Sequence, residues 1–524
     1  MFRLTAVLAA ALCGALSLPA QAPLPGSRLG TIAFPTSGSA AAQAAFVQGV
    51  LFLHSFEYES AERAFRKAQA LEPGFAMAHW GEAMTYTHPV WNQQDVGSGR
   101  SALERLAPTP EARRARAPTA REQRYLEAVD TLYGPGPKAR RDTLYAEVME
   151  RLVRENPGDL EAKAFYALAL LGLNQGIRDT TTYLRAAVYA DTVFRANPDH
   201  PGGAHYLIHA YDDPVHAPLG LAAARAYARI APDAAHAQHM TTHIFLAMGM
   251  WDDVVSQNQI AMRLQATLPG HYSSWLVYGL IQQGRYAMAQ QLIAQLRRNL
   301  AGGGLHQQHG ALVDMRAHYL LHSEDWRGLV FDQESSHDRM SVMSEATDVF
   351  TRGAIAYRRR DQTALADAAS ELARLVDGLR EDRGAADPAT MAGRVMAGEL
   401  GGMALFLGGS RDAGVRAVRQ AARIEDAMPM EFGPPAIVEP SHELLGWMLL
   451  EIEPTEAQAE FRRALALAPG RSRSLLGLAR AAIATGDKAA AVLALDQLAK
   501  NWAQADPQAR QDLAPLRRLA ARLP

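Results

Sequence analysis

The 524-residue chain is predicted to be all-α: an array of helix–turn–helix repeats with an irregular helical middle section. Three observations predict it. Two histidine pairs recur at one offset of 34 residues, His205 and His209 in His-Tyr-Leu-Ile-His and His239 and His243 in His-Met-Thr-Thr-His. An Ala-x-x-x-Phe pair followed by a proline occurs twice at one spacing, as Ala61, Phe65, Pro73 and as Ala457, Phe461, Pro469. From Ala41 onward the apolar residues follow a helical period, with no strand alternation and no Asn-Gly hairpin signal.

The elements follow in chain order. Met1-Phe-Arg, the apolar run Leu4 to Leu18 and the small-x-small end Ala20-Gln-Ala22 have the layout of an export signal over residues 1–22. The run is short for a membrane span of about 20 residues. The expectation is therefore a periplasmic or secreted bacterial protein without stable membrane insertion after cleavage. The single cysteine, Cys13, lies inside the signal. The mature chain then has neither disulfide nor thiolate, and any metal must be held by His, Asp, Glu or main-chain oxygen.

Residues 23–40 are rich in Pro, Gly, Ser and Ala and read as a linker. Residues 41–300 read as the N-terminal superhelix. Gly49 lies in its first helix, Ala61 and Phe65 in the second, and Pro73 ends that helix because it cannot continue one. Gly249-Met-Trp251 and Gly284-Arg-Tyr286 open later second helices. Over 301–427 the period blurs, beginning with the break Ala301-Gly-Gly-Gly304. Residues 428–441 hold four prolines and are expected to form a non-helical loop. Residues 442–524 are a C-terminal repeat pair and tail. With 48% apolar residues there is enough material for a core, and a formal charge of −2 does not call for a nucleic-acid partner.

The Gly, Ala-x-x-x-Phe and Pro pattern resembles the tetratricopeptide repeat. More narrowly, Tyr58-Glu-Ser-Ala-Glu-Arg-Ala-Phe65, Ala78-His-Trp-Gly-Glu-Ala-Met84, His200-Pro-Gly-Gly-Ala-His-Tyr-Leu-Ile-His209, His239-Met-Thr-Thr-His-Ile-Phe245 and Glu431-Phe-Gly-Pro-Pro435 resemble a group of exported bacterial repeat proteins without a settled biochemical role. The resemblance implies a right-handed superhelix. The first helix of each repeat would line a concave groove that binds a peptide or protein.

The histidines are the candidate site. Residues three, four and seven apart share a helix face, so His236, His239 and His243 form one stripe, and His205, His209 and Asp212 another. Repeat spacing extends this to a rung of His209, His243, Tyr278 and His318, with His271 beside His236. Glu82, on an early first helix, is a further groove-facing candidate.

Two readings remain open. In one, the chain is a scaffold whose groove binds a peptide, protein or small ligand on a polar floor of His205, His209, Asp212, His236, His239, His243, Tyr278, His318 and Glu82. In the other, it is a metal-dependent enzyme or metal-binding protein, with Zn or Cu held by His205, His209, His239 and His243. A His-x₃-His pair on a helix suits both ions, and Asp212 or Glu82 would complete the site or orient a ligand. No His-Glu-x-x-His, phosphate-binding Gly-rich loop, Gly-x-Ser-x-Gly or dinucleotide fingerprint is present.

Overall fold

The computed structural model describes residues 27–174, 178–265, 269–300, 305–326, 330, 340–430, 432–511 and 513–524. The export signal and the Ala301–Gly304 break lie outside these residues. Among them the chain is all-α, a helical-repeat fold in which successive helices pack on one another. The only strands described are Thr87–His88 and Gln93–Gln94, a two-residue antiparallel ladder closed by a 3₁₀ turn, Pro89–Trp91.

The repeat pattern has a steric cause. Phe65 is fully buried, and a Cβ on Gly49 or on Gly81 would stand 2.6 Å or 2.3 Å from its ring. The phenyl ring therefore fills the notch left by one glycine in its own repeat and one in the next. Phe461 does the same with Gly446 and Gly477, at 2.7 Å and 2.2 Å. The two ends of the chain use one packing device.

Within 301–427 the described helices Val342–Arg358, Gln362–Arg383, Pro388–Leu407 and Arg411–Asp426 pack as consecutive hairpins. Two of these helices run 22 and 20 residues, against 14 for Tyr58–Leu71. The longer helices stretch the repeat, and that erases the 34-residue period.

The expected linker is also more than a tether. Phe34 is 1% exposed and packs on Phe46, Trp80 and Tyr125, while Thr31 donates its amide to the Asp199 carbonyl. Residues 28–38 are thus laid along the array.

The buried side chains fall into two cores, one built mainly from 29–254 and one from 255–520. The C-terminal repeats return onto the junction. Trp251 donates to the Gly470 carbonyl at 2.9 Å, Arg471 to the Tyr278 hydroxyl at 2.9 Å, and the Ser472 amide to Gln282 at 2.8 Å. The Pro-rich loop 428–440 comes with them. Phe432 lies 5.2 Å from the His243 ring, and Gly433 takes a left-handed φ of 100° where any Cβ would meet Trp275 at 2.6 Å. No helix of the described residues is long and apolar enough to cross a membrane.

Candidate functional site

Three helices carry six imidazoles to the junction of the two cores. His205 and His209 come from Pro201–Ala210, His236, His239 and His243 from Ala235–Ala247, and His271 is the first residue of His271–Gln282. One ring nitrogen each of His205, His209 and His236 lie within 4.8 Å of one another, and the same holds for His239, His243 and His271. The first five histidines are 0–6% exposed; His271 is exposed. The two triads adjoin. Ring centroids of His209 and His243 are 5.9 Å apart, and those of His236 and His239 6.3 Å, against 4.4 to 5.9 Å for neighbours within a triad.

The hydrogen bonds around the rings fix which nitrogen holds a proton. His243 Nδ1 faces the Asp212 carboxylate at 2.5 Å and must donate. His239 Nδ1 faces Asn258 Oδ1 at 2.7 Å, and Asn258 is itself oriented by donating its amide to the Val254 carbonyl. His239 Nδ1 therefore donates too. His239 Nε2 is then a bare lone pair, and it stands 3.1 Å from His243 Nε2. A shared proton would reconcile these two rings alone, whereas a cation would engage His271 as well. Two imidazoles bound at 2.0–2.1 Å to one tetrahedral ion stand about 3.3 Å apart.

The first triad is anchored through one ring. His205 Nδ1 donates at 2.7 Å to the carbonyl of His54, the last residue of helix Ala40–His54 and so an acceptor without an intrahelical partner. His205 Nε2 is left facing His236 Nε2 at 3.3 Å. The Nε2 of His209 is buried without a partner. Burial lowers His205 to about 3 and sets His209, His236 and His239 well below the usual imidazole range, with neighbouring imidazoles adding to the effect. At neutral pH these rings are uncharged, the form that binds metal.

Phe56 closes the first triad. Its backbone is left-handed (φ 54°), a strained state for a bulky residue, and its ring lies 4.3, 5.3 and 5.9 Å from His205, His236 and His209. Trp275 backs the second triad, 4.3 Å from His243 and 4.9 Å from His239.

Other residues expected at the site fall elsewhere. The rung of His209, His243, Tyr278 and His318 is broken between His243 and Tyr278. Trp275 and Phe432 occupy the space beside His243, and Tyr278 pairs with His318 (5.1 Å) and with Arg471. His271 is beside His239 at 4.4 Å, not beside His236. Glu82 is fully buried and consumed by Arg66, Gln69 and Arg105, so it serves as an ion-pair node away from the imidazoles. Asp212 orients His243 and is not among the clustered nitrogens.

Sequence reading missed one further cluster, His54, Glu161 and His200, all fully buried. It is chemically complete. The Gly203 amide donates to His200 Nδ1 at 3.1 Å, so His200 Nε2 carries the proton it gives Glu161 at 3.0 Å. The Tyr206 hydroxyl meets His54 Nδ1 at 2.9 Å, leaving His54 Nε2 to donate to the other carboxylate oxygen at 2.8 Å. Burial opposes the charge on Glu161, yet the two imidazoles outweigh it and hold the carboxyl at about 2.

No family model matches the chain, and no curated protein does. Among solved structures, a human IFIT1 dimer with m7Gppp-AAAA is 12% identical over 89% of this chain and 90% of its own, with a TM-score of 0.35. The yeast Tom70 is 12% identical over 92% of this chain and 95% of its own, with a TM-score of 0.28. At these scores the likenesses carry no argument about this chain.

Proposed function

We propose that this is a metal-binding helical-repeat protein holding two neighbouring transition-metal ions, one in each tri-imidazole set. The observation that carries the reading is the pair of Nε2 atoms of His239 and His243, 3.1 Å apart, with both Nδ1 atoms turned outward to Asn258 and Asp212. An all-imidazole donor set suits Zn, Cu, Ni or Fe. Three protein ligands leave a fourth position for a water or another ligand, the arrangement of catalytic rather than structural zinc sites. An ion with such a position acidifies bound water and polarises a bound oxygen.

A peptide or protein resting on the imidazoles is the weaker reading. Five of the six rings are buried, and the chain's own loop covers His243 through Phe432. Export, suggested by the leader sequence, is part of the same proposal.

The test is thermal unfolding of tag-free protein, first stripped with chelator and then titrated with Zn²⁺ or Cu²⁺. A ligand that binds only the native state stabilises it by about 2.7 kcal/mol at one hundred times its Kd. A rise in Tm that His205→Gln combined with His239→Gln removes supports the proposal; unchanged Tm with both ions refutes it.

A further inference from the structure

A cavity of about 1000 Å³ opens beside the second triad, lined among others by His271, Trp275, Tyr278, Met315, His318 and Phe432. We infer that it is the ligand chamber of the outer metal ion, taking an elongated small molecule with an aromatic body, a nitrogen or oxygen donor at one end and a hydrogen-bonding group at the other. The inference rests on the metal reading above.

Three observations define the ligand. First, the two triads differ in access. His205, His209 and His236 are sealed under Phe56, whereas His271 is exposed on the cavity wall. Only the second ion can reach an outside donor through this cavity.

Second, the wall is graded along one helix. His271, Trp275 and Tyr278 stand four and three residues apart in His271–Gln282 and share a face. At 1.5 Å per residue the stripe runs about 10 Å from the metal end to the far end. Its middle is aromatic: Trp275 from the helix and Phe432 from the Pro-rich loop both line the chamber, which favours a flat apolar body.

Third, the far end has an unused polar atom. His318 is 4% exposed, stacks edge-on with Tyr278 at 5.1 Å, and its Nδ1 has no hydrogen-bond partner. A buried polar atom left unpaired is costly, and a ligand group can satisfy it. The cavity volume is at the upper end for small-molecule sites.

The experiment uses full-length chain loaded with Co²⁺, whose visible bands report changes at the ion, titrated with 4-phenylimidazole and with imidazole. Both carry the same donor; only the first fills the aromatic section. The expected result is altered cobalt bands with at least ten-fold tighter binding of 4-phenylimidazole. Ala311→Trp, which fills the chamber from a wall position outside the triads, should abolish that preference while Co²⁺ uptake is unchanged. Equal affinities in a cobalt-loaded protein, or a preference that survives Ala311→Trp, would overturn the chamber and leave the metal centre standing. Failure to take up Co²⁺ would overturn the metal reading and the chamber with it.

Discussion

Two buried histidine clusters lie within one repeat of each other, and they are opposites. In His54–Glu161–His200 every ring nitrogen has a matched partner: a carboxylate, a hydroxyl or an amide. In the six-imidazole cluster three rings are anchored from outside, His243 by Asp212, His239 by Asn258 and His205 by the His54 carbonyl, while their inner nitrogens face only other imidazoles. Proximity of donor atoms is equal in the two; both bring three ligand atoms within 4.8 Å. Proton accounting separates them. A closed network stiffens the fold, and an open one with its outer shell in place is built to hold something. The two are joined, since His54 supplies its ring to one and its carbonyl to the other, and Gly202 lets helix Pro201–Ala210 pass so close that a Cβ would stand 2.4 Å from His54 Nδ1.

The largest expected contrast is in stability without metal. Glu161→Ala leaves two buried imidazoles without their shared acceptor and should cost about 3–5 kcal/mol in denaturant unfolding with chelator present. His239→Gln breaks one net favourable hydrogen bond, to Asn258, and should cost about 0.5–1.5 kcal/mol in the same assay. Equal costs would erase the distinction between the clusters.

Next in size is the outer shell. Asp212→Asn removes the charge behind His243 and should weaken metal binding 10- to 100-fold in a chelator competition, with little change in metal-free stability. Unchanged affinity would mean that the carboxylate does not support the metal site.

The broadest effect, spread over several groups, is pH dependence. His205, His209, His236 and His239 are lowered in the folded chain by burial, so unfolding takes up protons once pH drops below the ordinary imidazole value near 6.5. Metal-free stability should therefore fall steadily from about pH 6.5 toward pH 3, by up to about 1.4 kcal/mol per pH unit for each such ring. Glu161, held at about 2, adds a further loss below its ordinary carboxyl range. Glu399, raised by burial, works the other way as a single group. Chemical denaturation at a series of pH values checks this; stability flat between pH 7 and 5 would contradict the burial of neutral rings.

Much of this was legible in the sequence, for stated reasons. A 34-residue offset carries side chains to equivalent places on equivalent helices, so His205, His209, His239 and His243 could be brought together from spacing alone. His236 followed from the helical stripe. The rest depended on contacts that no period encodes. His271 opens its helix, and its neighbour His239 lies 32 residues back, off the repeat spacing. Tyr278 and His318 held the right rung, but Trp275 one turn earlier and Phe432 from a distant loop took the space beside His243. Glu161 lies 107 residues from His54, on a helix with no histidine to advertise it. The long helices of 342–426 kept the hairpin order while losing the period.

Metal content decides the central claim most directly. Tag-free full-length protein, equilibrated with excess Zn²⁺ or Cu²⁺ and then desalted, should retain about two ions per chain by elemental analysis. A chain carrying His205→Gln with His239→Gln should retain none, and Glu161→Gln should stay near two. A wild-type chain that emerges free of metal, or a double variant that still keeps its ions, would contradict the account.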